Sequence, residues 1–275
     1  MKSSWRCLDT GAQRGACNMA IDEALVEGVE AGGSPVVRFY AWEPPAISFG
    51  FAQQVQREVD VEACRSSGVD LVRRPTGGRA VLHWQELTYS VIVGTEDEEM
   101  GGRIEDTYRR IGECLVAGLR RFGADVELER AQVRQPRPRT GTTAQPCFSS
   151  IARSEIKWKG RKLVGSAQRR FKRTVLQHGA LIVGSAHERL VDLLLLSEGE
   201  RRAWRRRLRA ESTCLEECIG GRVVREELVE SMVAGFEEVL GADLVRGEVA
   251  DSEWERSRER AGFWSAEMSP IEMAV

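Results

Sequence analysis

The chain has 275 residues, of which 42% are hydrophobic and 30% charged, and its 40 basic and 42 acidic residues give a formal charge of −2. This balance excludes a disordered or collagen-like chain, and it supplies no overall field that would draw the protein to nucleic acid or anionic lipid. The longest aliphatic run, residues 193–196, is too short to cross a bilayer, and residues 1–17 lack the apolar segment of a signal peptide. We therefore expect a globular cytoplasmic protein of one large domain, or of one domain with a small helical appendage.

Cysteine usage predicts ordinary thiols rather than a disulfide framework or a metal site. The seven cysteines are odd in number, contain no Cys-x-x-Cys pair and accompany only three scattered histidines. They are Cys7, Cys17, Cys64, Cys114, Cys147, Cys214 and Cys218. We expect no resident metal, and we expect most of these thiols to be small buried groups.

The predicted elements of the first half alternate between helices and strands. Asn18 is placed as the N-cap of a helix that runs to about Ala31, where Gly32-Gly33 ends it. Clusters of β-branched and apolar residues predict strands at 35–40, 46–49, 69–73, 80–83 and 87–93. A short helix is predicted at 61–67, and apolar residues at helical spacing predict a longer amphipathic helix at 104–122.

A long loop divides the predicted elements. Residues 132–146 are rich in proline and threonine and have almost nothing to bury, and loops of this length inside a domain are usually functional. Strands are predicted after it at 154–158, 163–169 and 175–183, and helices at about 187–196, 198–209, 224–240 and 250–262. The predicted fold class is α+β, a mixed β-sheet flanked by helices up to about residue 185 and followed by a helical C-terminal tail.

The segment over residues 73–83 is the first that predicts binding chemistry. Its Gly77-Gly78 pair lies between two predicted strands and permits a close approach of backbone to a ligand. Three arginines surround this approach with positive charge: Arg73, Arg74 and Arg79. An ordinary tight turn is the alternative interpretation, and the spacing is not that of a P-loop.

A cysteine and a lysine are the candidates for covalent chemistry. Cys147 follows the long loop, where a thiol beside a cation would be a nucleophilic thiolate, although an inert thiol is the alternative. The chain has 35 arginines and 5 lysines, and four of the lysines fall within residues 157–172. Lys162 is one of them; a lysine can move a proton where an arginine cannot, while an edge-strand lysine is the alternative. The small residues Gly165-Ser166-Ala167 leave room for a ligand along the same strand.

Three further features have structural alternatives. His178 lies in an apolar strand, where it is either a base or a hydrogen-bonded core histidine, and His187 has no assigned role. Cys214 and Cys218 are interpreted as packing groups. Residues 201–209 include six arginines, which either contact nucleic acid or an acidic protein or form a solvated helix face.

The order of these segments resembles the lipoyl and biotinyl protein ligase family over about residues 5–190. The segments that carry the resemblance are Asn18-Met19-Ala20-Ile21-Asp22-Glu23-Ala24, Arg38-Phe39-Tyr40, Ser48-Phe49-Gly50, residues 73–83, Glu86-Leu87-Thr88-Tyr89-Ser90, residues 160–168 and Gln177-His178-Gly179. Within the family, Cys147-Phe148 ahead of Gly160-Arg161-Lys162 resembles the cysteine-bearing octanoyltransferase branch. The resemblance implies a catalytic domain related to class II synthetases and biotin ligases at residues 5–190, with its end placed as late as about 245, and a helical segment at 191–275.

The resemblance also implies a reaction and its site. Octanoate would move from the thioester of acyl carrier protein to a lysine of a lipoyl domain, such as the glycine cleavage H protein, without ATP. Cys147 would hold the octanoyl group as a thioester, and Lys162 would favour the thiolate and later take the proton of the incoming amine. The implied substrate-binding residues are Arg73, Arg74, Gly77, Gly78, Arg79, His83, Gly165, Ser166, Ala167 and His178.

These residues have separate implied tasks. The glycines and the small run would leave an apolar slot for the acyl chain, and the arginines would meet the acidic surface or the phosphopantetheine of the carrier. His83 and His178 are the next candidates for the base. Three alternatives stay open at this point: an ATP-dependent lipoate–protein ligase in which Cys147 is a bystander, an amidotransferase between lipoyl domains, and a non-catalytic carrier-binding protein.

Overall fold

The computed structural model of the chain describes residues 4–130 and 154–265, in which eleven strands and seven α-helices follow one another. The strands are β1 (Ser4–Gln13), β2 (Val36–Trp42), β3 (Ala46–Phe49), β4 (Asp70–Arg73), β5 (Val81–His83), β6 (Glu86–Gly94), β7 (Glu127–Arg130), β8 (Ser154–Trp158), β9 (Arg161–Arg170), β10 (Thr174–Ile182) and β11 (Asp243–Gly247). The α-helices are α1 (Gly15–Glu30), α2 (Val61–Ser66), α3 (Ile104–Arg121), α4 (Glu198–Glu211), α5 (Leu215–Ile219), α6 (Arg225–Leu240) and α7 (Asp251–Arg260). Short 3₁₀ helices lie at Val55–Arg57, Ser185–Leu193 and Ala261–Trp264.

The strands form two sheets. The larger one has eight strands in the order β11-β1-β2-β6-β10-β9-β8-β7, and the smaller one has the order β4-β3-β5. In the larger sheet β1 pairs in parallel with β11 and β2, whereas the pairs from β2 to β7 are antiparallel. The sheet is therefore mixed, and the expected α+β fold class of a mixed sheet flanked by helices is confirmed.

Helices cover both faces of the large sheet. On one face α3 and α6 pack against buried residues such as Phe39, Tyr89 and Val91, and on the other face α1 packs against Leu8, Ile92 and Leu176. Both faces are apolar at the centre because the middle strands are fully buried; every residue of β10 is buried. The small sheet has its own core, closed by α2 and the 3₁₀ helix Ser185–Leu193.

Most predicted elements lie within a few residues of the observed ones, but the start of α1 does not. The helix begins at Gly15 and its N-cap is Arg14, so the prediction of Asn18 as the cap is wrong. Asn18 is instead buried in the first turns, where its side-chain oxygen accepts a hydrogen bond from the Arg38 guanidinium at 2.6 Å. A polar residue that usually caps a helix is used here to satisfy a buried charge.

The C-terminal segment contains a strand that the helical prediction did not include. β11 pairs in parallel with β1, through register pairs such as Trp5 with Leu244, and so forms one edge of the large sheet. α6 packs against α3 within the main hydrophobic core. The helices α4 and α7 likewise contact β9 and α1, so the helical segment after residue 191 packs against the sheet and its covering helices. Among residues 4–130 and 154–265, no helix combines the length and apolar character needed to cross a membrane.

Candidate active site

A cavity of about 310 Å³ opens between the large sheet, α1 and the loop that joins β4 to β5. Its walls include most of the predicted site residues, namely Arg74, Gly77, Gly78, His83, Lys162, Gly165, Ser166, Ala167 and His178. They also include residues that the sequence analysis did not single out as site residues, namely Met19, Tyr40, Trp42, Ser48, Val81, Thr88, Tyr108, Gln168, Gly179 and Ala180. The fold thus brings segments from four distant parts of the sequence to one concave site of a size usual for small-molecule binding.

Lys162 projects from the start of β9 and is held by a neighbouring carboxylate. Its side chain is buried, and Nζ donates a hydrogen bond to Oε1 of Glu155 on β8 at 2.9 Å. Its backbone carbonyl accepts a hydrogen bond from the amide of Thr213 at 3.0 Å. Of the four lysines in the described ranges, Lys162 alone is buried. Burying an amine is costly unless it is paired, so its position in the cavity wall is a specific feature of this site.

Arg74 braces the Gly77-Gly78 loop from inside. Its guanidinium donates to the carbonyl oxygens of Ser48 at 2.8 Å, Gly77 at 2.9 Å and Arg79 at 2.7 Å. Gly78 has a φ of +102°, and a Cβ there would lie 2.7 Å from the Arg74 Nη2 atom. The glycine is therefore required both by the backbone conformation and by the guanidinium that packs against it.

Arg73 and Arg74 are too buried to meet the acidic surface of a carrier protein, whereas a contact of Arg79 with that surface, or of any of the three with phosphopantetheine, stays a prediction. Arg73 donates to the carbonyl oxygen of Gln53 at 2.8 Å, and Arg73 and Arg74 are only 2% and 4% exposed. Arg79 is half-buried and does not line the cavity. The guanidinium groups of Arg73 and Arg74 are used to satisfy backbone carbonyls, because a loop folded inward must find partners for its buried polar groups.

A buried carboxylate holds His178 in place. Nδ1 of His178 lies 3.3 Å from Oδ2 of Asp22, and its Nε2 lies 2.7 Å from Oγ1 of Thr76, at the base of the glycine loop. Asp22 also accepts hydrogen bonds from Arg38 at 2.7 Å and from Ser90 at 2.9 Å. With the carboxylate on Nδ1, that nitrogen carries the proton and Nε2 accepts the Thr76 hydroxyl proton.

The charges of this network are fixed by burial and by its ion pair. Burial lowers the pKa of His178 despite the adjacent Asp22 carboxylate, so the imidazole is neutral at pH 7. Burial alone would raise the pKa of Asp22, but the Arg38 guanidinium and His178 together hold it below its usual value. The interpretation of His178 as a hydrogen-bonded core histidine is therefore compatible with its place in the cavity wall.

A second carboxylate–histidine–hydroxyl chain lies beside the first. Nδ1 of His83 lies 2.7 Å from Oε1 of Glu86, and Nε2 lies 2.7 Å from Oγ of Ser48. The His83 ring stacks on Trp42, with centroids 4.0 Å apart. Ser48 Oγ in turn accepts a hydrogen bond from Arg74 at 2.9 Å, so this chain also ends on the brace of the glycine loop.

Small residues on β9 and β10 keep the far wall of the cavity thin. A Cβ on Gly179 would lie 2.6 Å from the carbonyl oxygen of Gly165 and 2.7 Å from the ring of Tyr89. The Tyr89 hydroxyl lies 2.7 Å from Oγ of Ser166. The run Gly165-Ser166-Ala167 lines the cavity beside Gly179, and the room that it leaves for a ligand stays a prediction.

The remaining sequence candidates are Cys147, the long loop before it, His187 and the other six cysteines. Cys147 lies outside the described residues, as does the loop at residues 132–146. His187 is buried, and its Nε2 lies 3.0 Å from Oγ of Ser212 behind the cavity wall. The six cysteines of the described ranges are free thiols, none of them lines the cavity, and burial raises the pKa of each one; the pKa of Cys7, Cys64 and Cys218 rises to about 11.

The sequence analysis did not single out several residues that line or support the cavity. Glu155 had no signal beyond its place as the second residue of the predicted strand 154–158, since its pairing with Lys162 depends on strand register. Asp22 and Thr76 stood within segments quoted for the family resemblance, and their role became visible only through the side-chain network. Met19 and Tyr40 belong to the same quoted segments and line the cavity.

Solved structures share this fold. A bipartite lipoate protein ligase of Thermoplasma acidophilum superposes with a TM-score of 0.79 at 23% identity, covering 98% of this chain and 96% of that chain. A crystal structure of lipoate-protein ligase A bound with ATP superposes with a TM-score of 0.78 at 22% identity, covering 99% of both chains. At these identities the likeness concerns the fold alone.

Two proteins with a shared name are more similar to this chain in sequence than those solved structures are. A protein named octanoyltransferase LipM from Moorella thermoacetica is 42% identical over 265 residues, covering 96% of each chain. One with the same name from Bacillus subtilis is 38% identical over 261 residues, covering 92% of each chain. The family model of the lipoyl protein ligase A/B catalytic domain matches residues 14–237. The chain is therefore a member of the lipoyl protein ligase A/B catalytic-domain family.

Proposed function

We propose that this protein is an octanoyltransferase that moves an octanoyl group from octanoyl-acyl carrier protein to a lysine of a lipoyl domain, in the biosynthesis of protein-bound lipoate. The relationship to octanoyltransferases at 36–42% identity over at least 88% of the chain makes it an acyltransferase. The carrier-bound donor, the lipoyl-domain acceptor and the cysteine intermediate are the finer parts of the proposal. Its acceptor would be a protein such as the glycine cleavage H protein.

The observation that carries the proposal is the burial of Lys162 in the wall of a cavity closed by the glycine loop. A paired but cavity-facing amine is suited to favour a thiolate and then to take up a proton. The raised thiol pKa of all six described cysteines makes them poor nucleophiles at neutral pH. Cys147 is the proposed nucleophile, on the family resemblance of Cys147-Phe148 ahead of Gly160-Arg161-Lys162.

The proposed reaction has two balanced acyl transfers. The Cys147 thiolate attacks the thioester carbonyl, the bond to the carrier sulfur breaks, and the departing carrier thiolate takes a proton from the Lys162 ammonium. The neutral amine of the acceptor lysine then attacks the Cys147 thioester, its proton passes to Lys162, and Cys147 leaves as a thiolate. Because one thioester is exchanged for another of similar energy, no nucleotide and no other cofactor is required.

The described residues supply the acyl-binding part. Met19, Tyr40, Val81 and Ala180 give the cavity an apolar lining that an eight-carbon chain would cover. Each methylene that leaves water contributes about 0.8 kcal/mol, so the chain supplies several kcal/mol of binding free energy. The glycine loop, held by Arg74, forms the rim against which the thioester would lie.

The experiment is a transfer assay with purified protein, octanoyl-acyl carrier protein and an apo H protein, after apyrase has removed all nucleotide. The proposal predicts octanoylation of the H protein by the wild type and none by Cys147→Ala. Activity that disappears with apyrase and returns with ATP would establish the ATP-dependent ligase instead. Transfer only from an octanoylated lipoyl domain would establish the amidotransferase, and binding of the carrier without transfer would leave a non-catalytic carrier-binding protein.

A further inference from the structure

The helix α4 carries most of its charge on one side. Its six arginines are Arg201, Arg202, Arg205, Arg206, Arg207 and Arg209, against the three glutamates Glu198, Glu200 and Glu211. At about 100° per residue, all of these arginines except Arg207 fall within an arc of about 140°, and only Glu198 shares that arc. The helix therefore presents a basic face on a protein whose formal charge is −2.

On this face Arg202, Arg206 and Arg209 are exposed, whereas Arg201 and Arg205 are half-buried and bind the Leu196 carbonyl oxygen and the Asp192 carboxylate. The side chains of Arg202 and Arg209 are 62% and 63% exposed, and they pair with Glu198 at 3.4 Å and Glu188 at 2.7 Å. Exposed pairs of this kind are worth about 1 kcal/mol or less, so a partner's carboxylates can replace them. Arg206 is exposed and makes no ion pair within the described ranges.

An exposed apolar residue adjoins the same face. Leu195 is 50% exposed and precedes Ser197, the N-cap of α4. It is one of four large hydrophobic residues that are exposed in residues 4–130 and 154–265. Arginine beside an exposed apolar side chain is a combination enriched at protein–protein interfaces.

The C-terminal end of α4 leads directly to the candidate active site. Ser212, the residue after the helix, forms a bridge with Lys162, and the next amide, that of Thr213, donates to the Lys162 carbonyl. On its buried side α4 packs Leu208 into a cluster that includes Val81, a residue of the cavity wall. The basic face is thus anchored to two sides of the same cavity.

We propose that the basic face of α4, formed by Arg201, Arg202, Arg205, Arg206 and Arg209 with Leu195 at its start, is the docking surface for the acidic carrier protein that donates the octanoyl group. The inference rests on the proposed function. The face of α4 supplies the exposed positive charges that Arg73 and Arg74, which are buried, do not offer to a carrier protein. Arg202 lies ten residues before Ser212, about 15 Å along the helix axis. A carrier docked there bridges that distance with its long prosthetic arm, whereas the short side chain of an acceptor lysine does not. The occupant is therefore the donor rather than the lipoyl domain.

The test reverses the charge of the α4 face and compares two octanoyl donors, one with and one without the carrier protein. A variant with Arg202→Glu, Arg206→Glu and Arg209→Glu is compared with a control carrying Arg246→Glu, Arg256→Glu and Arg258→Glu. The control makes the same change in net charge on β11 and α7, at the opposite side of the large sheet. Each protein is assayed with octanoyl-acyl carrier protein and with octanoyl-pantetheine, which has the arm but no protein, and carrier binding is measured directly by fluorescence anisotropy.

The proposal predicts that the α4 variant has a KM and a Kd for the carrier raised about tenfold, as expected for the loss of three surface charge contacts. Its KM for octanoyl-pantetheine and for the acceptor stays as in the wild type, and the control keeps all wild-type values. An unchanged Kd for the carrier, an equal rise with octanoyl-pantetheine, or a rise in the acceptor KM alone would each overturn it. Failure of the proposed function has a different signature, because the wild type would then bind the carrier through α4 yet transfer octanoate from neither donor.

Discussion

Single polar side chains in the cavity wall are held by groups that solvent does not reach. Asp22 and Ser48 are 0% and 1% exposed, and each lies on a carboxylate–histidine–hydroxyl chain that ends at the glycine loop or at its brace, Arg74. Buried polar networks of this kind are stable only when every member has a partner. The position of Thr76 therefore depends on Asp22 through His178, and the position of Lys162 depends separately on Glu155.

Removal of the Thr76 hydroxyl tests whether the His178 chain positions the loop. Thr76→Val leaves Nε2 of His178 without its partner at 2.7 Å, and we expect kcat/KM for the octanoyl thioester to fall about tenfold, the equivalent of one buried hydrogen bond. Thr76→Ser keeps the hydroxyl and restores most of the activity. The matched control is Thr174→Val on β10, because Thr174 Oγ1 is buried and has no hydrogen-bond partner among residues 4–130 and 154–265. Equal activity in Thr76→Val and the control would contradict the positioning role.

Substitution of Lys162 separates its charge from its proton. Lys162→Ala removes the cation beside the proposed thiolate, so alkylation of Cys147 by iodoacetamide should shift to higher pH and single-turnover acylation should slow. Lys162→Arg keeps a cation but does not accept a proton, so acylation should be partly preserved while transfer to the amine stays slow. The control is Lys172→Ala, which removes an exposed lysine that lies outside the cavity. An unchanged alkylation profile and unchanged rates in Lys162→Ala would remove Lys162 from the mechanism.

At the scale of the elements, two glycines set how closely α3 and α6 approach. A Cβ on Gly235 of α6 would lie 2.3 Å from the backbone nitrogen of Gly118 on α3, and a Cβ on Gly118 would lie 2.8 Å from the Cα of Met232. These contacts involve backbone atoms, which do not move aside without shifting a helix. The close pair is what allows the two helices to cover the same face of the large sheet.

Gly235→Ala should therefore destabilise the protein, by about 1–3 kcal/mol through overpacking. For a chain of this size that lowers Tm by roughly 2–10 °C in a thermal melt followed by circular dichroism. Gly199→Ala is the matched control, since a Cβ on Gly199 in the first turn of α4 meets no atom of the described part of the chain within 4 Å and alanine favours a helix. A Tm for Gly235→Ala equal to that of the control would show that the helices can separate without cost.

The sequence predicts those helices and strands whose residue pattern lies within the element itself. The helix at Ile104–Arg121 and the strand at Thr174–Ile182 were predicted because apolar periodicity and β-branched runs are local patterns. β1, β7 and β11 were not predicted, because Asp9, Thr10 and Gly11 interrupt β1, and charged residues make up three of the four residues of β7 and two of the five of β11. Each becomes a strand by pairing with a distant partner, and tertiary pairing of this kind has no signature in any of these segments alone.

Part of the candidate active site was predictable from residue type alone. Its glycines and Lys162 stand out as residue types with a special backbone or proton chemistry, and the structure brings them to one cavity. The hydrogen-bond partners of Arg73 and Arg74 were not predictable from the sequence, because a guanidinium binds the carboxylates of an acidic partner or the backbone carbonyls of a buried loop equally well. Glu155 and Asp22 were missed for a related reason, since a carboxylate's partner is set by strand register and helix packing.

For the whole molecule, the buried histidines predict how stability depends on pH. Burial lowers the pKa of His178 and His187 from the usual 6.5. Below pH 6.5 the unfolded chain binds protons that the folded protein does not, so stability present above this pH is lost as the pH falls toward the folded pKa values. The loss is at most about 1.4 kcal/mol per pH unit for each histidine.

Urea denaturation at pH 7.5, 6.5, 6 and 5.5 measures this dependence. We expect a constant free energy of unfolding from pH 7.5 to 6.5 and a fall below it, with a shallower fall in His187→Gln, which removes one of the two groups. A free energy of unfolding that is flat down to pH 5.5, or the same slope in His187→Gln, would contradict the burial of neutral histidines as the cause.

The central claim is that acyl transfer passes through a covalent thioester on Cys147 without a nucleotide. Its most direct test is intact-protein mass spectrometry of the full chain after incubation with octanoyl-acyl carrier protein in the absence of ATP and acceptor. The account predicts one octanoyl adduct, mapped by peptide digestion to Cys147, released by hydroxylamine and absent in Cys147→Ser. An adduct on any of the other six cysteines, or octanoyl transfer to a lipoyl domain with no adduct on the enzyme, would contradict it.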